Sequence, residues 1–151
     1  MKNINNIIVH CSDSVFGDRN EIDKWHRARG FSEIGYHFVV LNGRIGPNFR
    51  LASLDGSIEP GRYLDGDSLI AGNEVGAHAL GYNGNSVGIC LIGTRTFTDR
   101  QMAAVVSLVR ELLARYGIDK ASVLGHYETD SGRREGKTCP NIDMALFREQ
   151  L

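Results

Sequence analysis

No stretch of this sequence is apolar for long enough to cross a bilayer. The N-terminal run Ile7-Ile8-Val9 sits among polar residues, far short of the roughly 20 residues a spanning helix needs and too short for the core of a secretory signal. Cysteine is scarce and odd in number, at three, which argues against a disulfide scaffold and fits a reducing compartment. Charge of one sign is missing too. Lys and Arg total 17 against 18 Asp and Glu, so there is no broad basic field for nucleic acid or an acidic membrane. Arg133, Arg134 and Lys137 are the one local basic cluster. There is no low-complexity tract, internal repeat or interdomain linker. The expectation is one monomeric domain over residues 1–151, with no signal peptide and no membrane insertion, made in the cytoplasm.

What is present is an ordinary apolar share, 42%, and 18 glycines, the mark of many turns. Residues 7–11 read as a buried strand. Residues 20–29 read as a helix stopped by Gly30. Residues 36–41 form the next strand, with Asn42-Gly43 as a hairpin signal. Residues 45–75 are a loop-rich excursion with one or two short strands. Residues 86–92 read as a central strand. Thr98 and Gln101 open a helix with a capping box, which Gly117 ends near Tyr116. Residues 122–126 make a last strand, 127–140 a polar loop and 142–150 a short terminal helix. Interleaved strands and helices imply an α/β class: a central mixed sheet flanked by about three helices.

His10 and His126 close the first and last strands, and Cys139 lies in the loop just after. Strand ends at one edge of a sheet converge. Two neutral imidazoles and a thiolate would leave a fourth tetrahedral position open, the pattern of a catalytic rather than a structural zinc. A zinc so held lowers the pKa of water from about 15.7 toward about 7. Spacing alone does not single out this triple among five His and three Cys; each could equally be a satisfied core or loop residue.

The strings VHCSDS (9–14), WHRARGFSEIGYHFVV (25–40), EPGR (59–62), GAHALGYNGNSVGICLIG (76–93), LGHYETD (124–130) and KTCPN (137–141) together resemble one family. It is the type 2, zinc-dependent N-acetylmuramoyl-L-alanine amidases, which share a fold with peptidoglycan recognition proteins. Within it the small amidase lysozymes of T-odd coliphages are most similar. The resemblance implies one zinc on His10, His126 and Cys139. It implies that Tyr36 faces the zinc, that Lys137 stabilises the developing oxyanion and that His78 lines the substrate cleft. Losing one oxyanion donor typically costs about 2.7–4 kcal/mol of barrier. The implied function is hydrolysis of the amide between N-acetylmuramic acid and L-alanine in bacterial peptidoglycan, by a phage or prophage endolysin reaching the wall once the membrane is breached.

Two loops depart from the compact phage pattern, residues 41–59 and the segment before Cys139, where Arg133 and Arg134 are offered as contacts to stem-peptide carboxylates or sugars. Alternation puts His37 in the core and turns Cys11 away from the metal. His26 reads as packing or surface, Cys90 as a small hydrophobe, and Asn83 and Asn85 as turn residues. Three other readings compete. A non-catalytic peptidoglycan receptor of this fold would usually lack the cysteine ligand. A regulator of a phage RNA polymerase uses an N-terminal extension that is reduced here. A cysteine hydrolase would use Cys139 as nucleophile and His126 as base.

Overall fold

The most continuously apolar strands lie where both their faces can be covered. In a computed structural model describing residues 1–151, β1 (Lys2–Asn3) precedes β2 (Asn6–Cys11), whose last five residues are all buried. Helix α1 (Arg19–Ala28) follows, then β3 (Phe38–Val40), the hairpin β4 (Arg44–Gly46) and β5 (Phe49–Arg50), β6 (Ile58–Pro60) and β7 (Leu69–Ile70). The second half runs β8 (Ser86–Leu91), α2 (Asp99–Tyr116), β9 (Val123–Gly125), α3 (Asp130–Arg134) and α4 (Met144–Glu149). Five strands form the main sheet in the order β6-β3-β8-β2-β9. All neighbours are parallel except the β3–β6 edge pair, so the sheet is mixed, as expected.

The period-2 alternation of β2 divides the core. Ile7 and Val9 face Val105, Val109 and Leu112 of α2 and Met144 and Phe147 of α4. On the other face Val39, Leu41, Cys90 and Ile92 pack with Ile22 of α1 and Ile34. Burying one such side chain stabilises by roughly 1.5–3 kcal/mol, so the β2–β8 pair is a firmly held frame. His10, out of phase with Val9, emerges on the α1 face.

The helix ends follow their capping residues. Asp18 accepts from Glu21 N–H at the start of α1. Thr98 and Gln101 cap α2 reciprocally, and Gly117 ends it in the left-handed conformation at φ 64°. The buried Gln101 also donates to the carbonyls of Val40 and Ile92 at 3.1 and 2.8 Å, tying α2 to the strand ends.

Three expectations are corrected. Asn42-Gly43 does not join two paired strands. Asn42 Oδ1 accepts from Arg44 N–H at 2.9 Å, and the chain leaves the sheet, makes the β4–β5 hairpin around Pro47-Asn48 and returns as β6. The strand expected over 36–41 is shorter, so Tyr36 and His37 lie just ahead of β3. The polar loop expected over 127–140 contains α3, a fourth helix. Thr129 caps it through Gly132 N–H, and Asp130 and Arg133-Arg134 complement its two ends. Five residues are too few for an apolar period to reveal.

Candidate metal centre

The carboxyl ends of the adjacent parallel strands β2 and β9 bring His10 and His126 to one place, where open α/β sheets bind their ligands. The return loop carries Cys139 to the same point. The ligand atoms of His10, His126 and Cys139 all lie within 4.8 Å of one another. Cys139 Sγ is 3.9 Å from His10 Nδ1, and the two imidazole centroids are 4.7 Å apart. A tetrahedral zinc, with Zn–S about 2.3 Å and Zn–N about 2.0–2.1 Å, separates S from N by about 3.6 Å. The donor set and its spacing therefore fit a zinc ion, at a point that opens on the cleft.

His126 and Cys139 are held in place by local chemistry. The His126 carbonyl accepts from Thr129 N–H at 3.1 Å and from Thr129 Oγ1 at 2.8 Å. Gly132 packs so closely that an added Cβ would lie 1.9 Å from that carbonyl oxygen. Just before His126, Gly125 N–H donates to Glu128 at 2.9 Å, and Glu128 accepts from the two terminal guanidinium nitrogens of Arg148 at 2.8 and 2.9 Å. The Cys139 carbonyl accepts from Tyr127 N–H at 2.9 Å, and its sulfur accepts from Cys11 N–H at 3.2 Å. Asn141, in the left-handed region at φ 60°, anchors the far side by donating to Thr94 O at 2.8 Å.

Burial, with His78, His126 and His26 around it, holds His10 well below the usual histidine pKa. Burial and the Lys137 charge lower His126. Both imidazoles are therefore neutral near pH 7, as metal ligation requires. The Cys11 and Cys139 thiols share a hydrogen bond that lowers Cys11 to about 7 and pushes Cys139 up; without a cation, one thiolate is accommodated and a second is opposed. A divalent ion reverses that balance, because a coordinating thiol is deprotonated outright. The Cys11 sulfur is not among the converging ligand atoms; its backbone N–H meets the Cys139 sulfur. β2 ends at Cys11, and the Cys139 loop crosses that end.

The centre sits in a cleft of about 570 Å³ that Tyr36, His78 and Lys137 also line. The Tyr36 ring is 5.0 Å from the His10 ring, and burial raises its hydroxyl well above the usual tyrosine range. It is a neutral donor. Lys137 is 46% exposed and 3.7 Å from Glu135, so it stands at a wet rim rather than in a desolvated pocket. Arg133 and Arg134 are exposed on α3 and are not part of the cleft wall, since the helix turns them outward.

His37 is in the core as expected, donating from Nε2 to Glu74 O at 2.7 Å and accepting Gly88 N–H on Nδ1 at 2.9 Å. Cys90 is fully buried. His26 is buried and accepts Gly35 N–H at 2.9 Å, but its ring also backs Tyr36 at 5.3 Å and reaches the cleft. Arg29, stacked over Phe31 at 5.2 Å, is a cleft cation that the sequence reading missed. It sits at the end of α1, where a basic residue has an ordinary capping explanation.

Residues 1–142 match the family model described as N-acetylmuramoyl-L-alanine amidase. The endolysin of Escherichia phage T7 is 33% identical over 155 residues, covering 95% of this chain and 85% of the relative. The endolysin of Enterobacteria phage T3 is 34% identical over 156 residues, with the same coverage. Among solved structures, the N-acetylmuramoyl-L-alanine amidase LysC from Clostridium intestinale superposes with a TM-score of 0.74 at 27% identity, over 98% of this chain and 85% of that one. Drosophila PGRP-LB superposes at 0.65 with 26% identity, over 99% and 80%. With two candidate ligands at the ends of adjacent parallel strands, a third on the loop that returns to them, and a family match spanning nearly its whole length, the chain belongs to the N-acetylmuramoyl-L-alanine amidase family.

Proposed function

We propose that this amidase is a zinc hydrolase of bacterial peptidoglycan and serves as an endolysin. The observation that carries the zinc assignment is the convergence of His10, His126 and Cys139, with ligand atoms inside 4.8 Å, at the floor of an open cleft. When bound, zinc supplies a Lewis acid for the scissile carbonyl and an acidified water.

The chain's own groups do the rest. His10, buried and neutral, and His126 present lone pairs to the ion. Tyr36, kept protonated by burial, donates a hydrogen bond toward the charge that develops on the amide oxygen. Lys137 brings a cation to the same rim. Because it is half exposed and faces Glu135, water screens part of its effect. Arg133 and Arg134 enter only as long-range attraction for stem-peptide carboxylates. No helix is long and apolar enough to cross a membrane, in keeping with an enzyme that meets its substrate after membrane breach.

Mass analysis of digested peptidoglycan tests the bond assignment. Stem peptides with a free L-alanine amino terminus are expected, with glycan chains left intact. New reducing sugar ends, or peptides cut internally, would assign a different bond. Activity that survives chelation but is abolished by a thiol reagent would instead make Cys139 a nucleophile.

A further inference from the structure

An imidazole binds a metal through one nitrogen only when that nitrogen is bare, so the proton must sit on the other. His10 presents Nδ1 toward Cys139 and turns Nε2 toward His78 Nδ1, 2.9 Å away. One of these two facing nitrogens carries a hydrogen and the other accepts it. Distances further along the chain decide which.

His78 Nε2 lies 3.4 Å from Ser86 Oγ. Ser86 is fully buried, and its hydroxyl donates to the Tyr82 carbonyl at 2.7 Å. A serine hydroxyl has a single hydrogen. Once that is given to Tyr82, Ser86 can only accept from His78. The His78 proton then belongs on Nε2, His78 Nδ1 is bare, and it accepts the hydrogen of His10 Nε2. His10 Nδ1 is left bare and aimed at Cys139. A main-chain carbonyl at Tyr82 thus sets the tautomer of the metal ligand through two side chains.

The seat of His78 is built to hold this arrangement. Asn83 Oδ1 accepts both His78 N–H and Ala79 N–H, at 2.8 and 2.9 Å. The ring lies over two glycines: a Cβ on Gly88 would stand 2.7 Å from it and one on Gly76 2.5 Å. A glycine inside a central strand often marks such a close approach.

We propose that His78 is a positioning residue which, with Ser86 behind it, locks His10 into the tautomer that offers Nδ1 to the metal. It acts through His10 and not as a substrate contact. Hydrogen-bonded partners of metal-binding histidines typically contribute roughly 10–100-fold in metal affinity. The inference rests on the zinc assignment above for its affinity arm, whereas its tautomer arm does not need a metal.

The test has two readings on the full chain. The first is ¹⁵N imidazole shifts of the metal-free protein, which distinguish the two neutral tautomers. His10 is expected with its proton on Nε2 in the parent chain and as a mixture in His78→Ala. The second is Zn²⁺ affinity by competition with a chromophoric chelator. His78→Ala should bind roughly 10–100-fold more weakly. His78→Asn, whose Oδ1 replaces the Nδ1 acceptor, should recover most of that loss. Ser86→Ala should fall between Asn and Ala.

A parent protein with the His10 proton on Nδ1 overturns the proposal, and that reading requires no variant to fold. So does a His78→Ala protein that binds Zn²⁺ as tightly as the parent with an unchanged His10 tautomer. A parent that fails to bind Zn²⁺ while holding the Nε2–H tautomer overturns the zinc assignment instead.

Discussion

The two candidate histidine ligands reach the site by different means. His10 is carried on β2, a strand buried on both faces and paired on both sides. His126 and Cys139 lie on a segment of short helical turns outside the sheet, held by single contacts: Thr129, Gly132, Tyr127, Asn141 and the Glu128–Arg148 pair. The strand-borne half is fixed by apolar burial spread over many residues. The loop-borne half is fixed by a few hydrogen bonds and one close glycine contact. A change in the first half is diluted by its neighbours, and a change in the second goes directly to a ligand.

The largest effect should come from the ligands themselves and should erase the contrast between halves. His10→Ala and Cys139→Ser should each abolish zinc binding and lysis, while circular dichroism stays folded for both. If only one of them lost lysis, the three-ligand set would be wrong. Next are the groups proposed to touch the reaction without holding the metal. Tyr36→Phe should lower turnover by about 10²–10³-fold, the usual cost of one oxyanion donor, with zinc content intact. For Lys137→Ala the expected drop is smaller, about 10–100-fold, because the ammonium is half exposed. Steady-state kinetics on a soluble muropeptide would measure both.

Gly132→Ala sharpens the comparison. Its Cβ would meet the His126 carbonyl at 1.9 Å, and overpacking of this sort costs typically 1–3 kcal/mol. We expect weaker zinc binding and a lower Tm for this variant. The open position Gly30, left-handed at φ 93° with nothing near it, should when changed to Ala lower Tm without touching zinc affinity. Equal zinc losses from the two would contradict the claim that single contacts hold the loop.

Acid should loosen the strand-borne half. His26 and His37 are both lowered to about 4, chiefly by burial. Their folded pKa values lie below the unfolded value near 6.5, so their contribution is complete above about pH 6.5 and is lost as pH falls toward about 4. Each group is worth on the order of 1–3 kcal/mol across that window. Urea unfolding of the metal-free chain at pH 7 and pH 5 should show the drop, and a flat profile would mean the rings are not held neutral. The smallest effect belongs to Arg133→Ala and Arg134→Ala. They are exposed and off the cleft wall, so turnover should change by less than about threefold and zinc affinity not at all.

The same contrast explains what was legible in the sequence. The strand runs at 7–11 and 86–92 and the capping box at Thr98 announced themselves by period and spacing, and they position His10. The VHCS, GYHF, LGHYETD and KTC strings brought Tyr36, Lys137 and the candidate ligands together by resemblance, and the fold puts all of them at one cleft. α3 was not legible, being one turn set by a threonine cap and a glycine contact. The same turn carries Arg133 and Arg134 away from the cleft. Nor does any sequence pattern record which His10 nitrogen faces the metal. That depends on Ser86 giving its one hydrogen to a carbonyl four residues back.

A metal-dependent amidase must carry its metal. Elemental analysis of the purified chain, beside Cys139→Ser carried through the same dialysis, measures it directly. One zinc per parent chain and essentially none in the variant is the predicted result. A parent chain that digests peptidoglycan while holding no zinc, or a variant that keeps its full complement, would contradict it.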